Sequence, residues 1–263
     1  MLLAVDVGNT NISIGIFQND SIVVKWTLET DLKTSQEKIR LEISTLFKKD
    51  FPEYQKINRV IIGSVVPYIT PIIRGAIEQI TNLDVKVMDT HTRTDLIIIY
   101  NAPSDVGSDR ICDAVSANIL YPNDKIIVDF GTATVFDAIT ESGEYLGGAI
   151  SPGIKIASDS LHLNTSLLKK IEVAPTKKLI GTNTIDSLKS GLFWGYLFLV
   201  EGMIKGFKKE IINYSKKTKN NKITVIATGG LAPLMASYTK LFDEVNLDLT
   251  LKGLNFIYKL NFR

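Results

Sequence analysis

Leu2-Leu3-Ala4-Val5-Asp6-Val7-Gly8-Asn9-Thr10-Asn11-Ile12-Ser13-Ile14-Gly15-Ile16-Phe17 joins an apolar run to a segment alternating with period two, through a turn of Gly, Asn and Thr. Apolar run, turn residues and alternation together predict a β-hairpin. The turn gathers a carboxylate, flexible backbone and a hydroxyl at one spot. Gly8 lets amide N–H groups approach an anion with no Cβ in the way. Thr10 and Asn11 add neutral donors, while Asp6 repels a bare phosphate and accepts one carried by Mg²⁺. Taken alone, the stretch is better read as an ordinary hairpin turn, since Asp, Gly and Asn suit turns anyway.

A second copy shifts that balance. Ile126-Ile127-Val128-Asp129-Phe130-Gly131-Thr132-Ala133-Thr134-Val135-Phe136-Asp137-Ala138-Ile139 again leads an apolar run into Asp, Gly and Thr and then into an alternating strand. Two Asp-x-Gly-Asn/Thr hairpins facing each other would grip a polyphosphate and its metal from both sides. The pair points to a nucleotide site.

Composition narrows the classes. With 263 residues and 45% hydrophobic content the chain has ample core for one large domain or two small ones. A net charge of +2 gives no broad basic surface for nucleic acid. The lone Cys112 excludes an internal disulfide, and His91 and His162 leave little room for histidine chemistry or a zinc site. The first strand starts at once, so no signal peptide is expected. The most apolar stretch, residues 190–200, lies between Lys189 and Glu201 and is too short to span a bilayer. A soluble cytoplasmic protein is expected.

Along the chain, a third strand is expected over residues 21–28 and an amphipathic helix over 34–49, with Ile39, Ile43, Leu46 and Phe47 at helical spacing. A buried parallel strand over 59–66, a helix opened by Pro67 and Pro71, and a strand over 84–88 complete an α/β unit. Residues 96–100 read as a strand, and a helix follows Gly107-Ser108-Asp109-Arg110. Pro122-Asn123-Asp124 marks the expected boundary between halves, 1–122 and 123–263. The second half repeats the first in pattern, with strands over 125–130, 134–139 and 145–150.

This repeat resembles the actin/hexokinase/Hsp70 superfamily, whose two ribonuclease H-like α/β halves clamp a nucleotide in a cleft. More narrowly, the chain resembles the type III pantothenate kinases, a family that includes proteins described as Bvg accessory factors. The resemblance rests on Asp6-Val7-Gly8-Asn9-Thr10, Gly107-Ser108-Asp109-Arg110, Asp129-Phe130-Gly131-Thr132-Ala133-Thr134 and Gly148-Ala149-Ile150-Ser151-Pro152-Gly153, in that order, followed by Gly181-Thr182-Asn183-Thr184 and Thr228-Gly229-Gly230. It runs from residue 2 to about residue 258. One departure is the missing proline in Leu167-Leu168-Lys169-Lys170, which touches no proposed catalytic residue. Asp129-Phe130-Gly131 is not a protein-kinase signature here, because the catalytic loop, Gly-rich loop and lysine strand of that family are missing.

Each motif also has a plainer reading. Asp109 and Arg110 could be charge decoration at a helix start, with Arg110 paired to Asp113; in the functional reading Gly107 makes room for a substrate and a planar guanidinium grips a carboxylate through two bonds. The Thr228-Gly229-Gly230 turn is either a plain strand-to-helix turn or a surface for adenine. The resemblance implies that Asp109 accepts the proton of the attacking hydroxyl and that Arg110 holds pantothenate. Gly107, Ser108, Tyr100 and Thr184 line the same substrate site, Thr184 doubling as a helix cap. It further implies that Asp6 serves Mg²⁺, that Val7, Gly8, Asn9, Thr10, Asn11, Ile12 and Ser13 surround ATP phosphates with Thr132, and that Asp129 is linked to a monovalent cation, K⁺ or NH₄⁺.

The expected activity is therefore ATP-dependent phosphorylation of pantothenate to 4′-phosphopantothenate, the first step toward coenzyme A. The rival expectation is a nucleotide-binding regulatory protein without catalysis, and a third is a kinase for another hydroxylated acid. Residues 187–207 carry more apolar surface than one stripe requires, with Gly191, Gly195, Gly202 and Gly206 along it, which together with the resemblance leads to an expected homodimer.

Overall fold

The computed structural model describes residues 1–215 and 222–262. The chain forms two compact units, Met1–Leu96 with Tyr100–Ile119 and Asp248–Arg263, and Ile97–Ile99 with Leu120–Leu247.

In the first unit β1 (Leu2–Val7), β2 (Asn11–Gln18) and β3 (Ser21–Glu29) form an antiparallel meander. Helix α1 (Gln36–Asp50) leads to β4 (Arg59–Ser64), and α2 (Thr70–Thr81) to β5 (Lys86–Val87), giving the order β3-β2-β1-β4-β5 with β4 and β5 parallel to β1. Alternation sorts the two faces of β1. Leu3, Val5 and Val7 join a core with Ile39, Ile43 and Phe47 of α1 and Ile73, Ala76 and Ile77 of α2. Leu2, Ala4 and Asp6 therefore lie on the opposite face. Ser35 caps α1 by accepting the Lys38 N–H at 3.2 Å, and Asn82, in the left-handed region, ends α2.

The short strand β6 (Ile97–Ile98) leaves this unit to pair in parallel with a strand of the second. Helix α3 (Ser108–Leu120) then carries the Asp109-Arg110 motif.

The second unit repeats the plan. Strands β7 (Asp124–Phe130), β8 (Ala133–Ile139) and β9 (Glu144–Pro152) are an antiparallel meander, followed by α4 (Ile154–Leu163) and the long α5 (Thr184–Ser215). Strand β10 (Ile223–Thr228) is parallel to β7, and after α6 (Ala232–Ala236) β11 (Glu244–Val245) is parallel to β10. The sheet order is β11-β10-β7-β8-β9-β6. Ile126, Val128 and Phe130 pack on Phe193, Tyr196, Leu197, Val200 and Ile204 of α5.

The domain expectation of 1–122 and 123–263 differs from this division at both ends. Helix α7 (Leu249–Asn261) packs on β1, β2 and β4 and belongs to the first unit. Its Leu251 approaches Gly15 and its Leu254 approaches Gly63, so two glycines flatten the sheet where the helix lands. Conversely, Ile97–Ile99 belongs to the second unit because β6 pairs with β9.

Candidate active site

In the first unit, the β1–β2 turn places Gly8 to Asn11 at the surface. The Gly8 N–H is already committed to the Asn11 carbonyl at 2.9 Å, and the Gly8 carbonyl accepts from the Thr30 hydroxyl at 2.7 Å. The Gly8 N–H is therefore used in closing the turn. Val7 and Ile12 are buried in the core and can offer a ligand only backbone. Asn9, Thr10 and Asn11 are exposed, and Asp6 stands directly opposite Ser13 across the hairpin. In register these two side chains share one face, with Cβ atoms about 5 Å apart. On the other side of Asp6 the parallel partner is Gly63, which presents no side chain.

Asp109 occupies the second position of α3, and the Ile111 N–H bonds to the Gly107 carbonyl at 3.1 Å, so Gly107 opens the helix. The Asp109 carboxylate folds back: its Oδ1 accepts the Arg110 backbone N–H at 2.7 Å and lies 2.6 Å from where a Gly107 Cβ would stand. Any side chain at 107 would displace it. Burial pushes the Asp109 carboxyl above the usual range, and the Arg110 N–H and charge oppose this only in part. Arg110 is itself buried. The Ser108 Oγ, close to Gly63, is buried with no hydrogen-bond partner, a cost of roughly 1–3 kcal/mol that a polar ligand would offset.

One turn on, the Cys112 thiol is pushed well above its ordinary value by burial and then by the carboxylates of Asp6, Asp113 and Asp109. The two carboxylates expected to work at the γ-phosphate and the hydroxyl are thus gathered within one unit. Asp113 accepts the Thr250 hydroxyl at 2.7 Å, which ties α3 to the first turn of α7. Tyr100, half-buried, lies in this unit as well.

In the second unit Asp129 is the penultimate residue of β7, before the Gly131-Thr132 turn. Gly229 sits at φ 84, where a Cβ would fall 2.4 Å from Asp129 Oδ1 and 2.7 Å from the Phe130 nitrogen. Glycine is required there by the approach to Asp129, whereas Gly230 has open space and remains the candidate for a flat ligand. Gly153 supports the same turn from below, its missing Cβ lying 2.3 Å from the Thr132 carbonyl oxygen. Thr184 is exposed at the first residue of α5. The cap is Asn183 instead, whose Oδ1 accepts the Asp186 N–H at 2.9 Å, so the expected capping role of Thr184 is corrected and its hydroxyl is left for other work.

Three features escape a reading of the sequence: the Thr250–Asp113 bond, the Gly153 contact and the polar tip of Tyr196. Only the glycine carries a signal, because it stands just before a helix in an otherwise extended motif.

No group of three His, Cys, Asp or Glu able to hold a metal occurs among the described residues. Lone carboxylates fit Mg²⁺ delivered with phosphates, since that ion keeps most of its shell as water and phosphate oxygen.

Two meanders, each continued by parallel crossover strands and each carrying an Asp-x-Gly turn at its first hairpin, define the actin/hexokinase fold class. Within that class the chain belongs to the type III pantothenate kinases, whose family model matches residues 2–206. A type III pantothenate kinase from Halalkalibacterium halodurans is 38% identical over 261 residues, covering 99% of this chain and 100% of that one. Two solved structures share the fold. A conserved protein of Campylobacter jejuni named for the Baf family of transcriptional activators has a TM-score of 0.60 at 19% identity, with 98% of each chain covered. The ethanolamine utilization protein EutJ from Carboxydothermus hydrogenoformans has 0.53 at 14% identity, covering 97% of this chain and 89% of that one.

Proposed function

We propose that the chain phosphorylates pantothenate with ATP through Asp109 as proton acceptor and Arg110 as the grip on the substrate carboxylate. The observation that carries these roles is the α3 N-terminus: a carboxylate raised by burial, a buried guanidinium beside it and an unsatisfied Ser108 hydroxyl. Pantothenate offers a carboxylate at one end and a primary hydroxyl at the other. Arg110 would take the carboxylate through two parallel bonds. Asp109 would take the hydroxyl proton as the new O–P bond forms and ADP departs, leaving the proton on its carboxyl. Help of this kind is worth about 10²–10⁴-fold. Because phosphoryl transfer is loose, the proton leaves late and positioning contributes more than basicity. Tyr100 and Thr184 complete the substrate contacts.

Asp6 would hold Mg²⁺, with Gly8 to Ser13 and Thr132 around the phosphates and a monovalent cation, K⁺ or NH₄⁺, at Asp129. Bound there, Mg²⁺ would neutralise charge on the transferring phosphoryl group. We further propose a homodimer through the outer face of α5. Gly191, Gly195, Gly202 and Gly206 have open space on that face, and Phe198 is 51% exposed beside them. A cytoplasmic location is proposed from the need for ATP; no helix among the described residues is long and apolar enough to cross a membrane.

Titration calorimetry with both substrates tests the site. Arg110→Lys keeps the charge and loses the bidentate fork. Pantothenate affinity should fall about tenfold or more with ATP affinity unchanged; equal weakening of both, or of neither, would contradict the assignment.

A further inference from the structure

We propose that Tyr196 is a positioning residue for the Asp129–Thr132 turn, its hydroxyl binding the strand that leaves the turn to α5. The proposal rests on the assignment of this turn to the ATP phosphates. Tyr196 lies on the core face of α5 among Phe193, Leu197 and Val200, 8% exposed, where a phenol hydroxyl needs partners. Its partner is the hydroxyl of Thr134, fully buried and only two residues beyond Thr132. Ile154, the first residue of α4, lies in the same buried cluster as Tyr196.

The neighbours of Thr134 and Ile154 are the turn itself. Thr134 pairs across the hairpin with Phe130, whose ring lies 6.3 Å from that of Tyr196. Ile154 follows Gly153, which has no room for a Cβ against the carbonyl oxygens of Gly131 and Thr132. Tyr196 therefore packs in one cluster with the start of α4 while its hydroxyl holds the strand leaving the turn. Burial and then the Asp129 carboxylate push the phenol pKa up, which places Asp129 close by and keeps the hydroxyl protonated to donate. Removing the hydroxyl leaves the buried Thr134 hydroxyl without this partner and frees the turn to shift against α5. Tyr196 touches no reacting group; it acts through Thr134.

The test uses Tyr196→Phe, Thr134→Val, Thr134→Ser and the double variant Tyr196→Phe/Thr134→Val, with MgATP affinity by calorimetry and KM for each substrate. Each loss of a hydroxyl should weaken ATP about three- to tenfold, the equivalent of one hydrogen bond, with KM for pantothenate unchanged. Thr134→Ser should restore ATP affinity, and the double variant should be no worse than the worse single one. Additive losses, equal losses for both substrates, or unchanged ATP affinity in the folded variants would overturn the proposal. Should Tyr196→Phe fail to fold, the contrast between Thr134→Val and Thr134→Ser decides alone. Thr132→Val separates the two levels. If it weakens ATP while Tyr196→Phe does not, only the role of Tyr196 falls; if it leaves ATP affinity intact, the phosphate assignment of the turn falls and takes the proposal with it.

Discussion

Replacing Gly253 with alanine sets two effects of opposite sign against each other. Gly253 lies inside α7, where helix propensity favours alanine by about 1 kcal/mol. A Cβ there, however, would stand 2.0 Å from the Cys112 carbonyl oxygen, 2.5 Å from its carbon and 2.7 Å from its Cα. An ordinary contact needs roughly 3.4 Å, so α7 and α3 must part by about 1.4 Å. The obstacle is helical backbone and cannot swing aside as a side-chain tip would. Overpacking costs about 1–3 kcal/mol, and a backbone clash belongs at the upper end, so a net loss of about 2 kcal/mol is expected. For a chain of this size that is a fall in melting temperature of roughly 4–8 °C. Cys112 is one turn from Asp109, so the same movement displaces the proposed base. A shift of about 1 Å can cost on the order of 10²-fold in rate, and kcat/KM for pantothenate should fall by that order. Urea unfolding and steady-state kinetics on the purified variant measure both. An alanine variant more stable than the parent, as propensity alone demands, would refute the packing argument.

Asp109→Asn should fold, bind ATP and lose at least about 10²-fold in turnover. Because burial raises the Asp109 pKa, the folded protein holds its proton more tightly than the unfolded chain does. Stability from this group is fully present below the unfolded carboxylate pKa and is lost as pH rises through the raised folded value. The Asp109→Asn substitution, which keeps the acceptor for the Arg110 N–H, should thus raise the melting temperature at pH 8 and leave it unchanged at strongly acid pH; a lower melting temperature at pH 8 would contradict the burial argument. For the dimer, mixing inactive Asp109→Asn with inactive Thr184→Phe should restore activity if each site borrows Thr184 from the other subunit, since about half of randomly exchanged dimers would carry one intact site. No recovery after verified subunit exchange would exclude the shared site, and a monomer by sedimentation would exclude the dimer.

The sequence shows the hairpins well because alternation and turn chemistry coincide there: Val5 and Val7 enter one core while Asp6 faces the other way, and the pairs Asp6–Ser13 and Asp129–Val135 follow from the hairpin register. The Asp109-Arg110 segment is likewise expected at a helix start, where it stands. Apolar periodicity, by contrast, says that a helix buries a face and not which sheet receives it. Helix α7 therefore reads as part of the half that precedes it, although Gly15, Gly63 and Gly253 mark its docking on the first unit. Tyr196 is hidden for a related reason. In Phe193-Trp194-Gly195-Tyr196 it reads as one more apolar residue, and its hydrogen-bond partner comes from β8, 62 residues earlier in the chain. The Gly229 turn reads equally as a plain strand-to-helix turn or as a surface for a flat ligand, while the constraint that requires its glycine, Asp129, is a hundred residues away and becomes visible only when β10 pairs with β7.

The central claim is tested most directly by incubating the purified protein with MgATP and pantothenate, with and without K⁺, and following ADP and 4′-phosphopantothenate together. The account predicts equimolar formation of both products, stimulation by K⁺, and loss of both in the Asp109→Asn protein. ADP release without phosphorylated pantothenate, or undiminished product from the Asp109→Asn protein, would contradict it.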